Sequence, residues 1–274
     1  QETNVYEYID VFRGQDKEPL PMYQGMKKHL KLYYGENLKF SNIDKRFCEG
    51  FRDHLLKSMK DITAKTYLAA FKAVLNRAVK EDVLKSSPCR DIIIKAQSAK
   101  REFLLEDEII KIIECKSVYY DVKNAFLFSC FTGLRVSDIQ ALTYNEVRDG
   151  YLYFRQRKTG DIDRMLLTPD AQQIINHQKR LHPNSGKVFI LPASKDKISR
   201  KLNQIIESSG ITKKITFHCG RHTAATLWLT KGVDIFTVQK LLGHRDLDAT
   251  LIYAKLIDKK RDEYVEKMPG LMKL

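Results

Sequence analysis

Helical stripes dominate the first third of the chain. Met22, Met26, Leu30 and the pair Tyr33/Tyr34 recur at the spacing that gathers apolar side chains on one helix face. A second stripe, Ile43, Phe47, Phe51, Leu55 and Met59, follows two residues suited to capping, Ser41 or Asn42. A third runs through Tyr67, Leu68, Phe71, Val74, Leu75, Ala78 and Val79, with Thr63 as its predicted cap. Together they predict a small helical bundle. Ser86-Ser87-Pro88 breaks the pattern, and the polar, basic run Gln97 to Arg101 predicts a boundary. The expected organisation is a helical domain over 1–97, a linker over 98–102 and a second domain over 103–274.

Beyond the boundary, Leu105-Glu106-Asp107-Glu108 opens a helix with its acidic residues where the helix dipole favours them. An apolar helix through Ala125 to Ser129 ends near Gly133. The period then changes. Asp149-Gly150 predicts a tight hairpin turn, Tyr151 to Arg155 a strand, Lys158 to Asp161 a second turn and Arg164 to Leu167 the returning strand. Lys158 thereby sits at a hairpin tip. The remainder reads as helical, with stops at Gly186, Gly210, Gly232 and Gly243. The predicted class is mainly α with a small antiparallel β-sheet, in two domains.

The 274 residues are 43% hydrophobic and 30% charged, a globular balance with length enough for two cores. No window approaches eighteen uncharged apolar residues, so no membrane partner is expected. The start, Gln1-Glu2-Thr3-Asn4, has no signal-peptide character, and a cytoplasmic location follows. Because the chain begins at Gln rather than Met, further upstream residues are expected, such as an N-terminal arm-binding domain. Five cysteines without CxxC spacing read as free thiols. Lys and Arg number 48 against 34 Asp and Glu, a net charge of +14 that favours a polyanionic partner. A merely basic surface, a membrane surface and an acidic protein partner stay open on charge alone. Lys57, Lys60, Lys65, Lys72, Arg77 and Lys80, interleaved with the bundle stripes, either grip phosphates or form its wet face.

Four places carry candidate chemistry: Arg135 after Gly133, His218 and Arg221 as HxxR with His222 following, His244 after Gly243, and Tyr253 nine residues later. Taken singly, each has an ordinary structural explanation: an ion pair of Arg135 with Asp138, a chance HxxR, a helix C-cap, a core tyrosine. His218 and His222 at i, i+4 have the spacing of two metal ligands, but no HExxH glutamate accompanies them, so neither metal nor cofactor is expected. In order, however, Arg, hairpin Lys, HxxR, Gly-His and Tyr resemble the tyrosine recombinase (phage integrase) family. The likeness extends to the flanks, Thr132–Asp138 (TGLRVSD), His218–Thr226 (HCGRHTAAT) and Val238–His244 (VQKLLGH), and covers about residues 100–265.

That resemblance implies a helical core-binding domain that contacts DNA, followed by a catalytic domain with six catalytic residues: Arg135, Lys158, His218, Arg221, His244 and Tyr253, the last as nucleophile. Lys158 is carried only by its place beside a turn. Gly220 stands where the family usually has the leucine of HxLR, and Arg245 follows the late His. The residue types suit phosphodiester chemistry. Two guanidiniums, with His244 as a further donor, offer N–H groups to the nonbridging oxygens as charge builds there. A phenol with a pKa near 10 needs help to lose its proton, for which His218 is the candidate base. Lys158 would protonate the leaving 5′ oxygen. The expected product is a 3′-phosphotyrosine whose conserved bond energy allows rejoining without a cofactor. The resemblance further implies double-stranded DNA as substrate, a homotetramer on paired DNA sites, an accessory DNA-bending protein and association with the nucleoid. The amphipathic stretch Leu256 to Met272 would either link protomers or pack on its own domain. Integration or excision of a mobile element is the expected role. The alternatives are DNA relaxation like that of a type IB topoisomerase, or DNA binding with a vestigial catalytic site.

Overall fold

Each apolar stripe of the first third folds as a helix with the stripe turned inward. The computed structural model describes residues 3–11, 20–96, 101–155, 162–244 and 246–254, and the chain divides into two units, Gln1–Lys100 and Arg101–Leu274. In the first unit a short α1 (Val5–Asp10) precedes α2 (Pro21–Tyr34), a 3₁₀ turn (Phe40–Asn42), α3 (Lys45–Ser58) and α4 (Asp61–Lys80). Met26, Leu30, Phe51, Leu55, Phe71, Val74 and Leu75 are fully buried in its core. Two predicted caps are corrected. The cap of α3 is Asp44, whose carboxylate accepts from Phe47 N at 2.6 Å, while Ser41 and Asn42 lie in the 3₁₀ turn before it. Thr63 lies inside α4, which starts at Asp61.

The second unit contains α5 (Glu106–Glu114), α6 (Tyr120–Thr132) and α7 (Val136–Ala141), then β1 (Val147–Arg148), β2 (Tyr151–Arg155) and β3 (Ile162–Leu166). It continues with α8 (Pro169–Leu181), α9 (Lys195–Ser208), α10 (Phe217–Thr230) and α11 (Ile235–Leu242). This is a mainly α fold with a small antiparallel sheet, ordered β1-β2-β3. The Asp149-Gly150 turn has positive φ at both residues, 50° and 75°, as the tight hairpin requires. Leu152 pairs with Met165 and both are buried, so one sheet face joins the core. Helix α6 is buried over most of its length and serves as the centre of the unit: Ala125, Phe126, Phe128 and Cys130 are fully enclosed. Of the predicted glycine stops, Gly210, Gly232 and Gly243 fall within two residues of helix ends, whereas Gly186 lies in the loop between α8 and α9. Lys158, Arg245, residues 97–100, which include part of the expected linker, and the stretch 255–274 lie outside the described residues. Among the described residues, no helix is long and apolar enough to cross a membrane.

Candidate functional site

Two helix ends present the first elements of the site. Gly133 closes α6 in the left-handed conformation, φ 67°, and Ser129 Oγ donates to Leu134 O at 2.8 Å across the turn. This sets Arg135, half-buried, at the N-cap of α7. Gly243 closes α11 in the same way, φ 58°. His244 follows, its backbone N–H bonded to Gln239 O at 3.0 Å and its Nδ1 paired with Thr250 Oγ1 at 2.8 Å.

Arg221 joins these two turns. It projects from α10, is only 4% exposed, and donates through Nη1 to Gly133 O at 2.8 Å and through Nη2 to Leu242 O. Its approach depends on α10 lying close to α6: a Cβ on Gly220 would fall 2.8 Å from Ser129 Oγ. The glycine that departs from the family pattern is thus a point of close helix approach. Burial, then Arg135, lowers the Arg221 pKa to about 10, so the guanidinium stays charged at neutral pH.

The histidines are held neutral. His218 lies at the solvent-facing rim one turn before His222; desolvation, then Arg221, Arg135 and Arg101, lower its pKa. Burial followed by Arg221, Arg135, Arg101 and His218 brings His244 down to about 4. His222 is lowered to about 3, by burial first and then by His218, Arg101, Arg221 and His244. A cavity of about 190 Å³ is lined by Arg135, Lys195, His218 and Arg221, a cationic niche of the kind that takes an anion.

Tyr253 is 1% exposed, packed with Ala225, Val238 and Leu242. Its ring lies parallel to that of His244, within 12°, with centroids 6.3 Å apart. Its hydroxyl is hydrogen-bonded to Nδ1 of His222 at 2.8 Å. Burial raises the phenol pKa, while Arg221, Arg101 and Arg135 pull the other way. Arg135, His218, Arg221, His244 and Tyr253 therefore share one neighbourhood, though the phenol does not line the cationic cavity. Lys158 falls outside the described residues.

Sequence reasoning missed Arg101, Lys195, Thr250 and the contact made by His222. Only His222 carried a signal, as the residue after Arg221 and one turn from His218. The rings of His218 and His222 meet edge-on at 4.5 Å, and among the described residues no three His, Cys, Asp or Glu side chains gather as a metal site.

Comparisons with known proteins bear on the family and the fold. The profile of the phage integrase family matches residues 102–260, and that of the phage integrase SAM-like domain matches residues 5–95. A tyrosine recombinase XerC of Chlamydia caviae is 29% identical over 224 residues, 76% of this chain and 72% of that protein. A tyrosine recombinase of Thermosipho africanus is 25% identical over 279 residues, 96% and 97% of the two chains. The structure of a lambda integrase tetramer bound to a Holliday junction shares the fold, with a TM-score of 0.78 and 19% identity over 92% of this chain and 78% of that one.

Proposed function

This chain belongs to the phage integrase family and is a tyrosine recombinase, an enzyme that breaks and rejoins DNA strands, and we propose that it acts site-specifically through a phosphotyrosine at Tyr253. Arg135 and Arg221 bracket the scissile phosphate and stabilise the charge of its pentacoordinate state, with His244 as a further donor once its ring is released from Thr250. In the DNA-free chain the phenol is buried away from the cationic cavity, so DNA binding must bring the two together. The Tyr253 O–H then gives its proton to a neighbouring imidazole as the oxygen bonds to phosphorus. The P–O5′ bond breaks, the 5′ oxygen leaves with a proton from Lys158, and a 3′-phosphotyrosine holds the strand. Attack by a different 5′-hydroxyl completes recombination, with no nucleotide cofactor in the cycle. The two guanidiniums supply the positive field that metal ions provide in other phosphoryl-transfer sites.

One observation carries this reading: Arg221 bonds to the carbonyls of both turns that bear Arg135 and His244, so residues 88 and 21 positions apart in sequence meet at one guanidinium. Its test is a duplex nicked beside the scissile phosphate, which traps the covalent intermediate. Wild-type protein should yield a protein–DNA adduct and Tyr253→Phe none. If wild type gives no adduct with any duplex, DNA binding with a vestigial site takes its place; relaxation of supercoils without site preference points to the topoisomerase-like reading.

The remaining features follow from the same reading. The active form is a homotetramer on paired DNA sites, assisted by a DNA-bending protein, and the first unit grips DNA through its basic helices. The role is integration or excision of a mobile element. A second reading, recombination at a fixed site of the host chromosome, has a specific motive, since the curated relatives include several named XerC. Covalent adducts mapped across the host genome separate the two: adducts at the ends of a mobile segment support the first, and adducts at one fixed chromosomal site support the second.

A further inference from the structure

The residue bonded to the Tyr253 hydroxyl is His222, rather than the His218 that the motif order singles out. Nδ1 of His222 and the phenol oxygen are 2.8 Å apart in a buried environment. The Arg101 side chain also hydrogen-bonds the hydroxyl, but a guanidinium only donates, so of these two partners the imidazole alone can take the proton. His218 approaches this pair only through its ring, edge-on to His222. We propose that His222 is a further catalytic residue of the strand-cleavage reaction, the base whose Nδ1 takes the Tyr253 proton as the phenol oxygen attacks phosphorus. The inference rests on the reading of Tyr253 as nucleophile.

The step balances. The O–H bond of Tyr253 breaks and an Nδ1–H bond forms, leaving an imidazolium. The O–P bond forms as P–O5′ breaks, and the 5′ oxygen receives its own proton from the general acid. When a 5′-hydroxyl attacks the phosphotyrosine, its proton returns to the general acid, now acting as base, and the departing phenol oxygen recovers the proton from Nδ1.

The surroundings suit a base that gains strength when it is needed. In the DNA-free chain the groups facing His222 are His218 and Arg221 from its own helix α10, Arg101 from the segment before α5, His244 after α11, and Tyr253. These neighbours and burial keep the ring neutral. The tautomer proposed carries its proton on Nε2, so that the Nδ1 lone pair accepts from the phenol. A phosphodiester entering beside Arg135 and Arg221 sets a negative charge against those cations, and the pentacoordinate state adds more. Each increment removes part of what opposes protonation of His222. His218, at the rim, is left to contact the phosphate itself.

The test uses the full-length chain and a pool of randomised duplexes nicked near the centre, scored for covalent adduct. His222→Ala and His222→Asn should both lower the rate of adduct formation about 100-fold at pH 7. Both should then regain rate by about tenfold per pH unit above neutrality, as hydroxide replaces the missing base, while wild type stays nearly flat. Asn keeps a hydrogen bond to the phenol without accepting its proton, so recovery in His222→Asn would reduce His222 to a positioning residue and overturn the proposal. An undiminished His222→Ala would overturn it as well. Retained affinity for the same duplexes identifies folded variants. Should neither variant fold, nitrogen NMR of wild type against Tyr253→Phe decides: the Nδ1 resonance of His222 should move on loss of the hydroxyl, and an unmoved resonance refutes the bond. Absence of adduct with wild type refutes the nucleophile instead, which is a different result from adduct formation that ignores position 222.

Discussion

A guanidinium that is buried and bonded to backbone carbonyls is easily mistaken for a structural arginine alone, whereas the proposed function makes Arg221 both structural and chemical. Arg221→Ala removes a donor from the developing charge and should lower adduct formation by about 10²–10³-fold. Affinity for duplex DNA should stay within about tenfold, because phosphate contacts spread over the basic surface supply most of it. Collapse of affinity in a binding titration would assign Arg221 to the fold alone. The histidines make a second claim at this scale. His222 and His244 titrate near 3 and 4 in the folded chain, against an ordinary 6.5. Between those values the unfolded chain binds more protons, so their contribution is complete above about pH 6.5 and is lost as pH falls toward 4. The thermal midpoint should therefore drop steadily from pH 7 to 4, and His222→Gln should flatten part of that slope. An identical slope would mean that His222 is already charged in the native state.

Among the elements, the approach of α10 to α6 is the most constraining. Ser129 cannot withdraw from a Cβ at position 220, since it is buried and its hydroxyl holds Leu134 O. Gly220→Ala gains helix propensity of about 1 kcal/mol but meets an overpacking cost of about 1–3 kcal/mol. Calorimetry should show net destabilisation; a raised midpoint would contradict the close approach. Elements of this kind were legible where periodicity is long. The stripes of α2, α3 and α4 span several turns each, and the Asp-Gly turn has a backbone requirement that few residues meet. Helix α1, six residues long, offers too few repeats to register. The start of α3 was misplaced because Ser41, Asn42 and Asp44 can all cap, and only tertiary packing chooses among them. The motifs single out Arg135, His218, Arg221, His244 and Tyr253 as candidates through their local sequence. They were silent on Arg101, Lys195 and Thr250, which join the site only through contacts made when distant segments come together. The bond of His222 to Tyr253 crosses 31 residues, and spacing alone does not disclose such a pair.

For the whole molecule, the charge of +14 sets how it meets DNA. Binding to duplex of arbitrary sequence should weaken linearly in log–log terms with added salt, by about 0.9 per phosphate neutralised. A salt-independent affinity would show that the basic surface serves some other partner. Arg221 also has a consequence for the molecule as a unit. Its guanidinium is moored to the ends of α6 and α11 from a third helix, α10, so its rotamer freedom is surrendered when the chain folds rather than when substrate arrives. Undocking α11 would untie one mooring and let the charge drift, so proteolytic nicking or local melting near Leu242 should silence the enzyme long before the rest of the domain comes apart.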